Sequence, residues 1–409
     1  MNLRTISVTL ALTTSAMALE KPPFPYVWGK AYHIMPGTHN QESGYFSLCE
    51  GRDGKIYVGA AKYGVDSFLV EFDPETEKQR IVVDTHKLCG LTNTGYAAQA
   101  KIHTRNFVGP SGKVYFGSKQ GYRLGEKDTV DYPGGYVMTY DPVTDKAECL
   151  GMPMPGQGVI DVVADEKRGL LYIVTCEDQH WMVYDTKTKT YKELGPLLTP
   201  YATTLINPAG QALAITKDFQ LAAYDPATGA VTVRPIELDG KPWLRANDYA
   251  IPCWVMTPDA RRAYLILLND PTLVEFDLMT RRKTVRLISH GRMVGGKGFD
   301  SRCALSLGPD GRVYAVGRVD NETGFGTGYL HHLVRFDPKR KKMADLGVLA
   351  VKNPDYADFS EGIKFRHGFH RLPDGTLTPL HVHMAMIVAG DGTVYTTILY
   401  PFTLLRVTR

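Results

Sequence analysis

The sequence lacks the motifs that mark many enzyme and nucleic-acid-binding classes. No C-x-x-C pair occurs among its six cysteines, which argues against a structural zinc site built on cysteine and against a c-type haem. It has no G-x-S-x-G elbow, no P-loop and no strand-G-x-G-x-x-G-helix motif, so nucleotide and flavin cofactors have no support. It also has no long basic run and no stretch of ~20 apolar residues. We therefore expect no nucleic-acid partner and no membrane span.

The composition is that of a chain that can bury a core. Of 409 residues, 44% are hydrophobic and 22% are charged, and the formal net charge is only +4. The chain contains 40 glycines and 25 prolines, and no collagen-like period or low-complexity tract accounts for them. Because glycine and proline concentrate in turns, this composition indicates many turns and hence β-structure.

The N-terminus has the features of a secretory signal peptide. Its first twenty residues carry one basic residue, Arg4, then an apolar run from Ile6 to Leu12 and an Ala-Met-Ala sequence ending at Ala18. We therefore predict a signal peptide at 1–18, one domain at 19–409, and a secreted or periplasmic location. The alternative is a frayed N-terminus. The cysteines are compatible with disulfides in an oxidising compartment.

One phrase recurs along the chain, and it has two halves. The first half is a turn of the form x-Asp/Ser-Gly followed by a short apolar strand with a tyrosine, and it occurs at 52–57, 110–115, 309–314 and 390–395, with weaker copies at 167–172, 208–213 and 258–264. The second half is an aromatic-Asp turn, usually followed by proline, at 72–74, 140–142, 184–186, 224–226, 276–278 and 336–338.

This phrase predicts an all-β fold, a β-propeller. Strand, Asp-Gly turn, strand, loop, strand, Asp-Pro turn and strand make one four-stranded antiparallel blade, and the copies fit seven blades. The last copy stops at Arg409, one outer strand short, while Tyr26 to Ile34 has no partner upstream. We expect this N-terminal strand to close the ring, because an open ring leaves bare strand edges. A β-sandwich does not explain the sevenfold phrase.

The two phrases resemble those of propellers of the streptogramin-lyase and gluconolactonase type, which carry similar "PDG-x-(V/I)-(Y/W)" and "(Y/F)-D-P-x-T" sequences. The resemblance covers nearly the whole chain after the signal peptide. It implies a fold rather than one activity, because one propeller scaffold supports hydrolases, lyases, oxidoreductases and binding modules.

Basic and aromatic residues of the second repeat are candidates for catalysis. In a propeller the starts of the innermost strands and the loops between second and third strands converge on the mouth of the central channel. His103 and Arg105 belong to the first set, and Lys119, Tyr122 and Arg123 to the second. These residue types suit β-elimination on a uronate, which needs a cation for the carboxylate, a base and an acid. The alternative is that the histidine satisfies a buried backbone group and the cations are solvated.

A second candidate site lies near the C-terminus. His381 and His383 are two apart in a strand, so both side chains point to one side and can share a metal ion. The pair is similar to the His-x-His pair of oligogalacturonate lyases, which are seven-bladed propellers, and this resemblance implies one divalent metal ion, manganese in that family; zinc and calcium are alternatives. His370, in the long connection before the last blade, is placed to bind substrate.

Ulvan lyases share the scaffold and use histidine, tyrosine and arginine in the central cleft, and His103, Tyr122 and Arg302 resemble that set in type and expected location. Trp254, at the start of another innermost strand, offers a stacking platform for a sugar, although a core position is the commoner role of a tryptophan.

The sequence thus predicts an exported polysaccharide lyase acting on a uronic-acid-containing glycan. His103 and Tyr122 are expected to be base and acid, Lys119 and Arg302 to neutralise the carboxylate, and Arg105, Arg123, Trp254 and His370 to bind substrate. The alternatives are a lactone-eliminating enzyme similar to streptogramin lyase and a non-catalytic propeller that binds glycan or protein.

Overall fold

The structure is a computed structural model that describes residues 21–40, 46–123, 125, 128–278, 283–301, 304–352, 368–380 and 382–408, with the side chains of 382–384 excluded. The predicted signal peptide at 1–18 lies outside these residues, as do Arg302 and His381 and the side chain of His383. Nearly all of the regular structure is strand, so the prediction of an all-β chain is confirmed.

The strands follow one another with short connections. The first are β1 (Tyr26–His33), β2 (Leu48–Glu50), β3 (Ile56–Lys62), β4 (Asp66–Phe72) and β5 (Gln79–Asp84). After helix α1 (Thr85–Cys89) and a 3-10 turn (Gly95–Ala97) come β6 (Lys101–Ile102), β7 (Phe107–Val108), β8 (Val114–Lys119), β9 (Val137–Asp141) and β10 (Lys146–Gly151). Next are β11 (Gly158–Asp165), β12 (Leu170–Cys176), β13 (Trp181–Asp185), β14 (Thr190–Glu193), β15 (Leu205–Ile206), β16 (Ala212–Ile215), β17 (Gln220–Asp225), β18 (Ala230–Leu238) and β19 (Lys241–Pro242).

The second half continues in the same way. It contains β20 (Pro252–Met256), β21 (Arg262–Leu267), β22 (Asp270–Asp277), β23 (Val285–Arg292), β24 (Leu305–Leu307), β25 (Val313–Asp320), β26 (Tyr329–Asp337) and β27 (Lys342–Lys352). The last strands are β28 (Phe369–Arg371), β29 (Leu377–Pro379), β30 (Val382–Val388), β31 (Val394–Ile398) and β32 (Thr403–Val407).

Strands adjacent in sequence are mostly antiparallel neighbours in space. Within the described residues they form four sheets, and β11 to β14 make one sheet of their own. The same up-and-down order recurs in β2–β5, β8–β10, β15–β18, β20–β23, β24–β27 and β30–β32. The larger sheets arise where neighbouring runs are bridged, as where β18 pairs with β23 in parallel and where β6 pairs with both β3 and β8.

The first half of the repeated phrase is a turn held by its aspartate. The Asp53 carboxylate accepts a hydrogen bond from the backbone N–H of Lys55 at 3.2 Å and another from the hydroxyl of Tyr57 at 2.7 Å. The Tyr314 hydroxyl donates to Asp310 at the same distance. The turn aspartate therefore caps both the backbone of the turn and the buried tyrosine of the next strand, which explains why the two residues recur together.

The second half of the phrase is a turn of a different kind. Asp73 accepts from the backbone N–H groups of Glu75 and Thr76, and Asp337 accepts similarly from the two residues at 339 and 340. The residue four positions after the aspartate has a positive φ in five turns: Glu77, Asp145, Lys189, Gly229 and Lys341. The turn geometry, rather than the presence of glycine, thus sets this left-handed position.

The core lies between the sheets and is built around the tyrosines of the phrase. In each copy of the phrase, the tyrosine, or in one copy the leucine, of the strand after the turn is at most 7% exposed and lies near the start of that strand. These residues are Tyr57, Tyr115, Tyr172, Leu213, Tyr264, Tyr314 and Tyr395. Burial of such large side chains supplies much of the hydrophobic stabilisation of the fold.

The N-terminal strand joins the two ends of the described chain. β1 pairs in parallel with β27 over Tyr26–Lys30 and antiparallel with β32 over Lys30–His33. The predicted pairing of the N-terminal segment with the C-terminal strand is therefore present. Ala31 lies opposite Leu405 in this ladder and is buried at 2% exposure in the core that β1 shares with its neighbours.

We predict that Ala31→Asp destabilises the whole protein. The new carboxylate would be buried without a partner, which costs at least about 3 kcal/mol. The expected result is a lower midpoint of thermal unfolding with one cooperative transition. Lys30→Gln is the control, because exposed ion pairs such as that of Lys30 with Glu77 contribute little. Equal midpoints for the two variants would show that β1 is not part of the cooperative core.

Candidate functional site

The C-terminal ends of β3 and β8 and the N-terminal end of β6 lie together at one end of the fold. Lys101 in β6 lies opposite Ala61 of β3 and opposite Lys119 of β8. The connections that leave these strands meet there, since the ring of Tyr63 lies 5.3 Å from the ring of Tyr122. This is the end at which the sequence predicts the site.

Two lysines face each other across the antiparallel ladder at this end. Lys101 is 3% exposed and Lys119 is 9% exposed, although like charges directly opposite each other in a ladder are destabilising. The ammonium of Lys101 lies 4.6 Å from the ring centroid of Tyr63 and 4.0 Å from that of Tyr122. These cation–π contacts stabilise the Lys101 charge in a position of low exposure. We call Lys101 and Lys119 the lysine pair.

Lys119 is held by residues of the neighbouring sheet, β11 to β14. Its Nζ donates to Sγ of Cys176 at 3.1 Å and to the carboxylate of Glu177 at 3.3 Å. Burial opposes the charged form, but Cys176 and Glu177 outweigh burial and raise the pKa of Lys119. Burial also raises the pKa of the Cys176 thiol, and the charge of Lys119 lowers it by less. Lys119 is therefore a cation at neutral pH, beside a protonated thiol.

A polar chain connects Lys119 with Arg123. The side-chain amide of Gln120 donates to Glu177 at 2.8 Å and to the Tyr96 hydroxyl at 3.5 Å. The Arg123 guanidinium lies 4.1 Å from the ring centroid of Tyr96. We use the name basic–aromatic cluster for the residues joined in this way: Tyr63, Tyr96, Lys101, Lys119, Tyr122 and Arg123.

The cluster contains three of the residues predicted from the sequence, and two of them, Tyr122 and Arg123, are exposed to solvent. Lys119, Tyr122 and Arg123 are in it, and the Tyr122 side chain is 55% exposed. Lys101, to which the sequence analysis assigned no role, contacts two of the aromatic rings of the cluster. Its pairing with Lys119 depends on the register of β6, which the sequence pattern does not reveal.

His103 lies deeper than expected for a general base. It follows β6 and is 3% exposed, with its ring centroid 5.1 Å from that of Phe46 and 6.1 Å from that of Tyr201. Phe46 also lines the central cavity, so His103 lies beside the cavity. The imidazole therefore packs against two aromatic rings and has little exposure to solvent.

A central cavity of about 360 Å³ lies along the innermost strands. Its wall is largely apolar, with contributions from Leu48, Val163, Leu205, Leu305 and Met386. Arg105 and Trp254 also line it. Trp254 is only 4% exposed and its indole N–H donates to the backbone carbonyl of Thr203 at 3.1 Å, so it packs as a core residue at the cavity wall. The volume is at the small end of the range for ligand sites.

Asp161 is a buried carboxyl that the sequence analysis missed. It is 1% exposed and accepts hydrogen bonds from the Thr203 hydroxyl at 2.8 Å and the Thr204 backbone N–H at 2.9 Å. Burial raises its pKa to about 7, although those two bonds and the charge of Arg105 oppose the rise. The available signal was an acidic residue in the interior of the otherwise apolar strand β11, whose other aspartate, Asp165, is its last residue.

The remaining predicted residues are not part of the cluster or cannot be placed. Arg302, His381 and the side chain of His383 lie outside the described residues. His370 lies in β28, which pairs with β29, and its buried Nε2 has no hydrogen-bond partner among the described residues. Burial lowers the pKa of His370, opposed by a hydrogen bond with the Tyr329 backbone.

The described residues contain no group of three or more metal-ligating side chains close enough to hold one ion. In the same part of the chain, no helix is both long and apolar enough to cross a membrane.

Comparison with solved structures identifies the architecture. Streptogramin B lyase matches with a TM-score of 0.54 at 10% identity, covering 92% of this chain and 97% of that one. A catalytically inactive virginiamycin B lyase from Staphylococcus aureus, solved with quinupristin, gives 0.54 at 9% identity, covering 93% and 100%. The fold is a β-propeller. The extracellular domain of a one-component system from B. thetaiotaomicron gives 0.55 at 11% identity, covering 94% of this chain and 40% of that chain.

No protein-family model matches this propeller, and no curated protein matches its sequence. Identities near 10% establish the fold alone, so the function has to be argued from the site.

We predict that Asp161 makes stability depend on pH. Its pKa is raised from 3.8 to about 7, so the stability it contributes is complete below pH 4 and is lost as pH rises through about 7. Relative to Asp161→Asn, the wild-type protein should lose up to about 4 kcal/mol of unfolding free energy over this interval. Chemical denaturation at each pH measures the difference. The exposed control Asp218→Asn should show the same dependence of unfolding free energy on pH as the wild type. A curve for Asp161→Asn that runs parallel to that of the wild type would contradict the assignment.

Proposed function

We propose that this propeller has seven four-stranded antiparallel blades and cleaves a uronic-acid-containing glycan by β-elimination at the basic–aromatic cluster. The recurring strand runs support the blade count, with β6 and β7 sharing the innermost position of the second blade and β1 completing the last blade beside β32. Location outside the cytoplasm, secreted or periplasmic, belongs to the same proposal and agrees with the extracellular neighbours.

The lysine pair is the observation that supports an acidic ligand. Two nearly buried lysines lie directly opposite each other, and a bound carboxylate would accept charge-assisted hydrogen bonds from them. The exposed ring of Tyr122 offers an apolar face for a sugar beside the charges. A uronate combines both features, since it carries a carboxylate directly on the ring.

The elimination chemistry assigns roles to the neighbouring residues. Cations at the carboxylate make the adjacent C5 proton more acidic and stabilise the charge that develops on its removal. Lys119 and Arg302 are proposed to supply this stabilisation, with Lys101 as a further cation. His103 and Tyr122 would then serve as base and acid, one removing the C5 proton and the other protonating the leaving oxygen.

A non-catalytic binding propeller is the second candidate. The 3% exposure of His103 beneath Phe46 and Tyr201 favours it, because a general base must reach its proton. Lactone elimination of the streptogramin-lyase kind is a third candidate, supported by the likeness in fold alone.

Catalysis is tested with a panel of uronate polysaccharides, following the ultraviolet absorbance of the unsaturated product. His103→Ala and Tyr122→Phe should each lower kcat by about two to four orders of magnitude, while binding of the same glycan persists. Lys189→Met, in an exposed turn of β13–β14, is the control and should keep full activity. Binding without product by the wild-type protein would select the non-catalytic candidate.

The anion site is tested separately through Lys101→Met and Lys119→Met. Methionine keeps the apolar stem but removes the charge, so glycan affinity by calorimetry should fall about 10- to 100-fold. A single cooperative thermal unfolding transition in each ligand-free variant would show that a loss of affinity is not a loss of fold. Unchanged affinity in both variants would remove the lysine pair from the site.

The metal proposal rests on His381 and His383 and is kept apart from these steps. The two imidazoles would hold one divalent manganese, zinc or calcium ion, with a third ligand from a histidine or carboxylate. We expect stoichiometric metal by elemental analysis of protein purified without added metal. His381→Ala should lose this metal. If the wild-type protein contains no metal and keeps full activity in the presence of a chelator, the two histidines do not form a metal site.

A further inference from the structure

Two cysteines that are not part of the basic–aromatic cluster meet where α1 packs against β10. Cys89 is the last residue of α1 and Cys149 lies in β10, sixty positions along the chain. Their Sγ atoms are 3.0 Å apart, and both residues are partly exposed. A disulfide bond of ~2.05 Å therefore requires an approach of about 1 Å.

The backbone around both cysteines is held in place. Helix α1 is capped at its N-terminus by Asp84, whose side chain accepts from the backbone N–H of Lys87 at 2.8 Å, and at its C-terminus by Gly90, which has a φ of 66°. These caps fix the direction in which Cys89 leaves the helix.

A second set of contacts ties β5, the strand before α1, to the strands β8 to β10, which form the second run. Arg80 of β5 donates to the Tyr140 hydroxyl and to the Asp145 carboxylate, each at 2.9 Å, and to Glu71 of its own run at 2.9 Å. The outer edges of the two runs are therefore held together independently of the cysteines, and the sulfur atoms meet between edges that are already docked.

We propose that Cys89 and Cys149 form a disulfide in an oxidising compartment. The thiolate of one cysteine attacks a small disulfide such as glutathione disulfide, giving a mixed disulfide and one free glutathione thiolate. The second cysteine thiolate then displaces the other glutathione and closes the Cys89–Cys149 bond. Two protons and two electrons leave the protein, and one glutathione disulfide becomes two glutathione thiols.

The electrostatics at the pair favour this reaction. The hydrogen bond from Cys89 lowers the pKa of the Cys149 thiol, with burial opposing the effect. A larger thiolate fraction at Cys149 makes it the attacking group in the first step.

The bond would close the segment that carries most of the proposed site. The chain between positions 89 and 149 contains five of the six cluster residues, all except Tyr63, and also His103. A crosslink across this segment restricts it in the unfolded state and thereby stabilises the folded state. It would also keep the second run docked against the first, at whose junction the lysine pair lies.

The test uses the full chain exported to the bacterial periplasm or refolded in glutathione redox buffer. Free thiols are alkylated without reduction, and the digest is examined by mass spectrometry. We expect a peptide pair linked through Cys89 and Cys149. Recovery of both cysteines as alkylated thiols after equilibration with glutathione disulfide would overturn the proposal.

Stability measurements give a second readout. Reductant should lower the thermal unfolding midpoint of the wild-type protein by several degrees, whereas Cys149→Ser should have the low midpoint with or without reductant. Cys49→Ala, at a buried cysteine of β2, is the control and should keep the response to reductant. A response that persists in Cys149→Ser would assign the redox sensitivity to other cysteines and reject this pair. Neither readout uses a glycan, so the outcome is independent of the proposed function.

Discussion

A sheet edge without a partner is the constraint on which this fold depends. Unpaired edges expose backbone N–H and C=O groups and invite association with other chains. Strand β1 removes two such edges at once, because it pairs with β27 on one side and with β32 on the other. The core containing Ala31, Tyr314 and Leu405 is shared between the strands that β1 joins. The N-terminal strand therefore shares its ladder and its core with the C-terminal part of the propeller.

Much of this architecture was predictable because the repeated phrase has a local cause. The aspartate of each turn binds backbone groups within a few residues, and the tyrosine that follows is buried in its own strand. The division of the innermost strand of the second repeat into β6 and β7 was not predictable. It depends on long-range polar contacts, since Asn106 accepts from the Ser47 hydroxyl at 2.7 Å and Thr104 accepts from the Gly117 N–H at 3.1 Å.

The candidate site was predictable in part for the same reason. Which loops converge follows from the order of strands, so Lys119, Tyr122 and Arg123 were placed at one end from sequence, and their chemical roles stay predictions. Lys101 and Asp161 required the structure. The role of Lys101 depends on its register against β8, and Asp161 became apparent only through its bonds to the next run of strands. Repeats reveal the common scaffold, whereas a site consists of departures from the repeat.

The lysine pair shows how such a departure is tolerated. Like charges opposite each other in a ladder repel, and here the carboxylate of Glu177 stabilises the charge of Lys119 while the rings of Tyr63 and Tyr122 stabilise that of Lys101. A ligand that binds the folded state alone stabilises it in proportion to the logarithm of its concentration relative to Kd. An anion that binds the lysine pair in the folded state would therefore stabilise the fold. In the proposed function, binding energy and fold stability would be coupled at this junction, and a neutral ligand of the same shape would lack the electrostatic part of that coupling.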